Sequence, residues 1–293
     1  MAHIFGQPTS YKSYSTRVST MKSCMDYCFY QPTCVAVYVE MGSKYCWVFD
    51  IGQIQKFRMT SSASGHRFAA KIENPANTCA SSFQGNSMVG SVTTLTSYLT
   101  YKIQPSGDNI WAFTTTLVLN CPDNYQLFTR PKGLWCIGVV TVNKCISQVD
   151  SVSKCSASGA VLTGLQTMEE TNYIYDVGKN LLAKETFYNR YGIWINGQRK
   201  TSCMPPNKRS AACNGINEFV ITDPLLNAYA GYKFASNEPN GIIVQSSGIN
   251  CLNILIAKTR LQGVDDNLCT IPSEEPELCY KGYACGIKPI KQT

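Results

Sequence analysis

Fifteen cysteines in a chain of 293 residues limit the possible folds more than any other feature. They run along the whole length among tyrosine, glycine and serine, which reads as a disulfide framework, and such frameworks persist where the surroundings are oxidising. A metal-site reading would need Cys-x₂-Cys pairs or neighbouring histidines. The tightest pair is Cys24 and Cys28, and the histidines are His3 and His66. An extracellular protein is therefore expected. The odd count leaves at least one thiol free or joined to another chain, so a disulfide-linked dimer is one expectation and a buried, unbridged thiol the other. The residues from Met1 to Pro8 have no basic start and no apolar run of signal-peptide length, so secretion implies a leader cleaved or omitted, or a start codon placed late.

The remaining composition narrows the class. With 44% hydrophobic and 15% charged residues the chain is globular, and its length allows two domains. No segment reaches the roughly 18 to 20 apolar residues that span a bilayer. No Asn-x-Ser/Thr glycosylation acceptor occurs. The net charge of +7 comes from 26 basic and 19 acidic residues, and its densest cluster is Gln198-Arg199-Lys200, with Lys208-Arg209 nearby. A nucleic-acid reader would show a basic stripe with interleaved aromatics, so no nucleic-acid partner is expected. The cluster reads as a solvated loop, with contact to an anionic glycan as the lesser alternative. Nor is an enzyme expected: no serine or cysteine has a local catalytic signature, and the acid pair Glu169-Glu170 suits the opening turn of a helix.

Three stretches organise the chain. In residues 1–72, Ser19-Thr20 offers an N-cap for a helix over 21–30, which puts Cys24 and Cys28 on one face; strands are expected at 34–39 and 45–49. The order of Cys24, Cys28, Cys34 and Cys46 around one helix and short strands resembles the PAN/apple family, in the variant found in nematode proteins. The resemblance implies bridges Cys24–Cys46 and Cys28–Cys34, where four cysteines alone allow three pairings. Residues 73–120 read as a β-rich connecting segment, with strands at 91–96 and 111–119 and a turn at 105–108.

Residues 121–289 carry the most specific pattern. Cys121-Pro122, Leu127-Phe128-Thr129-Arg130 and Trp135-Cys136 read as a hairpin. Helices are expected over 142–157 and 167–187. Ile193-Trp194-Ile195-Asn196-Gly197 is a core strand, and Tyr283-Ala284-Cys285-Gly286 a closing one. Together with Asn237-Glu238-Pro239-Asn240 and Gly263-Val264-Asp265-Asp266-Asn267-Leu268-Cys269, this order resembles the C-type lectin domain of the nematode-like kind. The fold expected is α+β: two disulfide-stapled modules, one small and PAN/apple-like and one C-type lectin-like. The resemblance implies bridges Cys155–Cys285 and Cys251–Cys269. Cys203 with Cys213 would staple a long loop, and Cys121–Cys136 would close the hairpin. Of the remaining Cys79, Cys145 and Cys279, a Cys145–Cys279 bridge is expected, with Cys79–Cys121 as an alternative to the hairpin bridge.

The resemblance also implies a function. Lectins of this kind hold Ca²⁺ and a sugar through side chains matching Glu238, Asn240, Asp265 and Asp266, an oxygen-rich set suited to a hard cation. A cis bond before Pro239 would aim Glu238 and Asn240 the same way. Three departures weaken the set: Asp265 stands where an asparagine is usual and cannot donate an amide hydrogen bond to a sugar, Val264 replaces a tryptophan, and Ile249 stands where sugar-binding members carry a glutamate. What is expected is a secreted recognition protein of the innate-immune kind, binding a glycan or glycoprotein at a degenerate Ca²⁺-dependent site with mannose-like preference. The alternative is a Ca²⁺-independent protein-interaction or adhesion module.

Overall fold

The computed structural model describes residues 1–73, 87–184, 187–204, 210–244, 247–248, 250–257, 261–274 and 277–292. Asn74-Pro75, Cys79, Lys208-Arg209 and Ile249 lie outside the described residues. The chain forms two compact units, Met1–Asn120 with Ile290–Thr293, and Cys121–Pro289.

In the first unit, Thr20 caps the helix Met21–Tyr30 by accepting from the Ser23 amide at 3.3 Å. The helix buries Met21, Cys24 and Cys28, the face on which the i, i+4 spacing places the two sulfurs. Cys24–Cys46 and Cys28–Cys34 bridge this face to the strands Cys34–Glu40 and Tyr45–Asp50. The described strands run in the order Ser15–Val18, Tyr45–Asp50, Cys34–Glu40, His66–Ala70, Ala2–Tyr11, Ile54–Met59, Ile110–Asn120, Ser97–Pro105, Met88–Thr93. The three strands from the stretch read as a connecting segment thus continue the sheet of the first 72 residues. They also complete its core: Val92, Tyr101, Ile103 and Trp111 pack with Phe57 and Phe68.

The second unit is built on the order Tyr125–Arg130, Gly133–Thr141, Leu278–Ile287, Arg190–Arg199, Cys251–Ala257, Leu261–Asn267. The closing strand Leu278–Ile287 runs parallel to Arg190–Arg199, and the other pairings along this path are antiparallel. Two helices, Gln148–Ala157 and Met168–Leu182, flank the sheet, both shorter than the sequence suggests. Ser147 explains the later start of the first, because its hydroxyl accepts from the Asp150 amide at 3.1 Å and caps the helix there. Trp194 is fully buried, stacks on Tyr280 at 4.1 Å and donates to the Ile146 carbonyl at 2.8 Å.

Fourteen of the fifteen cysteines form seven bridges. In the second unit these are Cys121–Cys136, Cys145–Cys279, Cys155–Cys285, Cys203–Cys213 and Cys251–Cys269. The alternative Cys79–Cys121 pairing is overturned, since Cys121 is bonded to Cys136.

Glu169 and Glu170 open the second helix, as the sequence suggests, and Glu170 also has a buried partner. Glu170 is only 1% exposed. Its carboxylate takes Arg130 Nε at 2.8 Å and Nη2 at 2.9 Å, while Asp223 takes Nη1 at 2.9 Å. An acid placed for the helix dipole would need no partner, but one buried this deeply does.

Candidate functional site

The loop after Tyr232 lies against the strand Leu261–Asn267. Val264 donates to the Lys233 carbonyl at 2.8 Å, and Ala235 donates to the Val264 carbonyl at 2.9 Å. Val264, where the resemblance expects tryptophan, is fully buried. Asn237 takes a left-handed φ of 69°, and the Glu238–Pro239 bond is cis. Asp265 and Asp266 are consecutive on the strand, Asp265 half-buried and Asp266 buried.

The structure brings together the residues the sequence singles out. One carboxylate oxygen each from Glu238, Asp265 and Asp266 fall within 4.8 Å of one another. Asn240 joins them through Glu238: its side-chain amide donates to Oε1 at 2.9 Å and its backbone amide to Oε2 at 2.9 Å. The Asn240 side-chain oxygen accepts from the Ile242 amide at 3.0 Å.

Asp266 is held from several directions. Its Oδ1 accepts from the Asn240 amide at 3.0 Å, and its Oδ2 from the Gly241 amide at 3.0 Å and from Arg199 Nη2 at 2.6 Å. Arg199 is the functional residue the sequence hides. It ends the strand Arg190–Arg199, is 3% exposed, and also ion-pairs with Glu218 through Nη1. The reading of Gln198-Arg199-Lys200 as a solvated loop is therefore wrong at its centre. The signal lay in strand alternation: Gln198 faces out opposite exposed Val220, and Arg199 faces in opposite buried Phe219.

This donor set does not fit a full Ca²⁺ cage, which takes six to eight oxygens. Both Asp266 oxygens are taken by N–H donors, one of them a guanidinium, and the Asn240 oxygen caps the backbone. The two Glu238 oxygens accept in turn from the Asn240 backbone and side-chain amides.

Burial raises the Glu238 carboxyl above the usual carboxylate range, against the lowering effect of the Asn240 amide, and the Asp266 charge beside it raises it further. A carboxyl with a raised folded-state pKa favours the folded state while protonated, and that contribution fades as pH climbs from the ordinary carboxylate range through the raised value. Glu238→Gln, which resembles the protonated form, is therefore expected to raise the unfolding midpoint at about pH 7, with the gain fading toward about pH 4. Thermal melts of both proteins without Ca²⁺ at the two pH values check this; a gain that persists at the lower pH would remove the electrostatic cause.

Residues 127–288 match the family model described as C-type lectin domain-containing protein 141/158, and residues 1–72 match that of a PAN-like domain. C-type lectin domain-containing protein 158 of Caenorhabditis elegans is 25% identical over 202 residues, which cover 61% of this chain and 95% of that one. Among solved structures, the C-type lectin domain of murine dendritic cell inhibitory receptor 2 in complex with N-glycan is similar at 18% identity and a TM-score of 0.37, covering 58% of this chain and 99% of that one. A calcium-independent type II antifreeze protein is similar at 18% identity and a TM-score of 0.36, covering 59% and 97%. With a family match over more than half its length, the chain belongs to the C-type lectin domain-containing protein 141/158 family, and it carries a PAN-like domain ahead of the lectin domain.

Proposed function

We propose that the protein is an extracellular recognition protein whose lectin domain binds glycans at the face carrying Glu238, Asn240 and Asp265. The observation behind this is the convergence of the Glu238, Asp265 and Asp266 carboxylates beside the Asn240 amide. These groups can accept from, and donate to, the vicinal hydroxyls of a mannose-like sugar. Seven disulfides and the family support an oxidising, extracellular setting. No helix among the described residues is long and apolar enough to cross a membrane. Any Ca²⁺ at this face binds weakly in this reading, at about 10⁻⁴ to 10⁻³ M.

A glycan array probed in Ca²⁺ and in EDTA tests the reading. Mannose-type glycans are expected to be retained by the native protein. Asn240→Ala is expected to lose them by about tenfold or more, as a site built on a hydrogen bond does when that bond is removed. Its unfolding midpoint should stay close to the native value. Retention of no glycan under either condition would leave a protein-binding module as the function.

A further inference from the structure

We propose that Arg199 is the resident cation of the lectin loop: its guanidinium holds Asp266, and through Asp266 the 238–241 backbone, in place without a metal ion. The inference rests on the glycan reading only for which loop matters; the mechanism belongs to the loop itself.

Three observations carry it. First, the contacts form an unbroken chain. Arg199 Nη2 meets Asp266 Oδ2 at 2.6 Å, and the two Asp266 oxygens accept from the Asn240 and Gly241 amides at 3.0 Å each. Asn240 in turn holds Glu238 through two bonds of 2.9 Å. Second, the guanidinium is built in. It is buried, lies 4.7 Å from the centre of the Phe219 ring, and is fixed at its backbone by a 2.7 Å bond from the Arg199 amide to the Asn250 carbonyl. Third, the loop is shaped around it. Gly241, at φ 58°, passes so close that a Cβ there would lie 3.0 to 3.2 Å from the guanidinium atoms.

The charges explain why this residue does the task. Glu218, Glu238, Asp265 and Asp266 would repel one another without a cation between them. Arg199 supplies a positive charge on a planar fork that can engage two carboxylates at once, here Asp266 and Glu218. Unlike a bound ion it does not dissociate. Lysine, a point charge on a flexible stem, would supply the charge without the fork.

The test uses the full chain and Ca²⁺ alone. In the native protein, hydrogen exchange at the Asn240 and Gly241 amides is expected to differ by less than about twofold between EDTA and excess Ca²⁺, because the bonds protecting them are present without the ion. Arg199→Gln strips the positive charge from the acidic groups, and its Ca²⁺ affinity by calorimetry is expected to rise by about tenfold or more. The same amides should exchange faster in its EDTA form and slow again with Ca²⁺. Arg199→Lys, which keeps the charge, should stay near the native affinity. A purely structural role for Arg199 would alter stability but not Ca²⁺ affinity. The proposal is overturned if Ca²⁺ slows exchange at these amides in the native protein by about tenfold or more. It is equally overturned if folded Arg199→Gln binds Ca²⁺ no more tightly than the native chain. Should Arg199→Gln fail to fold, exchange in the native protein decides alone. No sugar enters these measurements, so failure here is separate from failure of glycan binding.

Discussion

Removing both Cys145–Cys279 and Cys155–Cys285 is expected to destabilise the lectin domain by about 8 kcal/mol, against about 3 kcal/mol for removing either one. The two bridges run nearly side by side. They join residues 134 and 130 apart in sequence, and their ends are close neighbours along the chain at both sides. While one remains, the other closes only the short path through 145–155 and 279–285. That path is equivalent to a loop of roughly 15 residues, whose closure restricts the unfolded chain by about 3 kcal/mol. With neither in place the unfolded chain regains the full long loop, worth about 5 kcal/mol more. The loss in the quadruple Cys→Ala variant should therefore exceed the sum of the losses in the two double variants. Urea unfolding of the three variants and the native protein would show it. A quadruple loss equal to or below that sum would mean that the unfolded chain does not behave as a tethered coil.

Arg130→Met is expected to cost about 3–5 kcal/mol, since it leaves two buried carboxylates without their cation. The Arg130 side chain has no exposure, and besides Glu170 and Asp223 it donates to the Gly164 carbonyl at 3.0 Å. Methionine fills similar volume, so the loss is electrostatic. Replacing Glu170 and Asp223 by apolar residues as well should return only part of it. Buried ion networks can often be exchanged for apolar packing at little cost, but here the acids also cap the chain: Gln166 donates to Glu170 at 2.7 Å and Gly164 to Asp223 at 2.8 Å. Those amides would be stranded. Full recovery in the triple variant, measured by urea midpoint, would show that the two backbone bonds contribute little.

Much of this was readable from residues alone, and the rest was hidden for identifiable reasons. The helix at Met21–Tyr30 and its cap follow from Thr20 and the spacing of Cys24 and Cys28, which are local signals. The strand Arg190–Arg199 was legible through Trp194 and its apolar neighbours, yet its last residue was misread. A basic triplet looks solvated whenever its partners are distant, and Glu218 and Asp266 are contributed by other segments. The same holds for Arg130, whose partners Glu170 and Asp223 lie 40 and 93 residues away. The convergence of Glu238, Asp265 and Asp266 was legible because their motifs are contiguous. Which groups already held their oxygens was not, because backbone amides carry no sequence signature. The strand Ser97–Pro105 went unrecognised because Lys102 and Gln104 interrupt its apolar pattern, although burial is confined to the alternate residues Tyr101 and Ile103.

The short strand Ile290–Lys291 gives the chain an unusual order of assembly. Ile290 sits opposite Asn120 in the ladder, so everything in Cys121–Pro289 is, for the first unit's sheet, one enormous excursion between two paired residues. Bringing such distant ends together would ordinarily be slow. The lectin domain shortens the search from within: Cys121 is bridged to Cys136, and Cys136 lies opposite Ile287. Once that domain has folded, its own first and last residues are neighbours, and the final strand has only a few residues to travel. The last piece of the N-terminal sheet is thus supplied by the chain's far end and delivered by the domain between, so oxidative folding of the lectin domain times the completion of its neighbour.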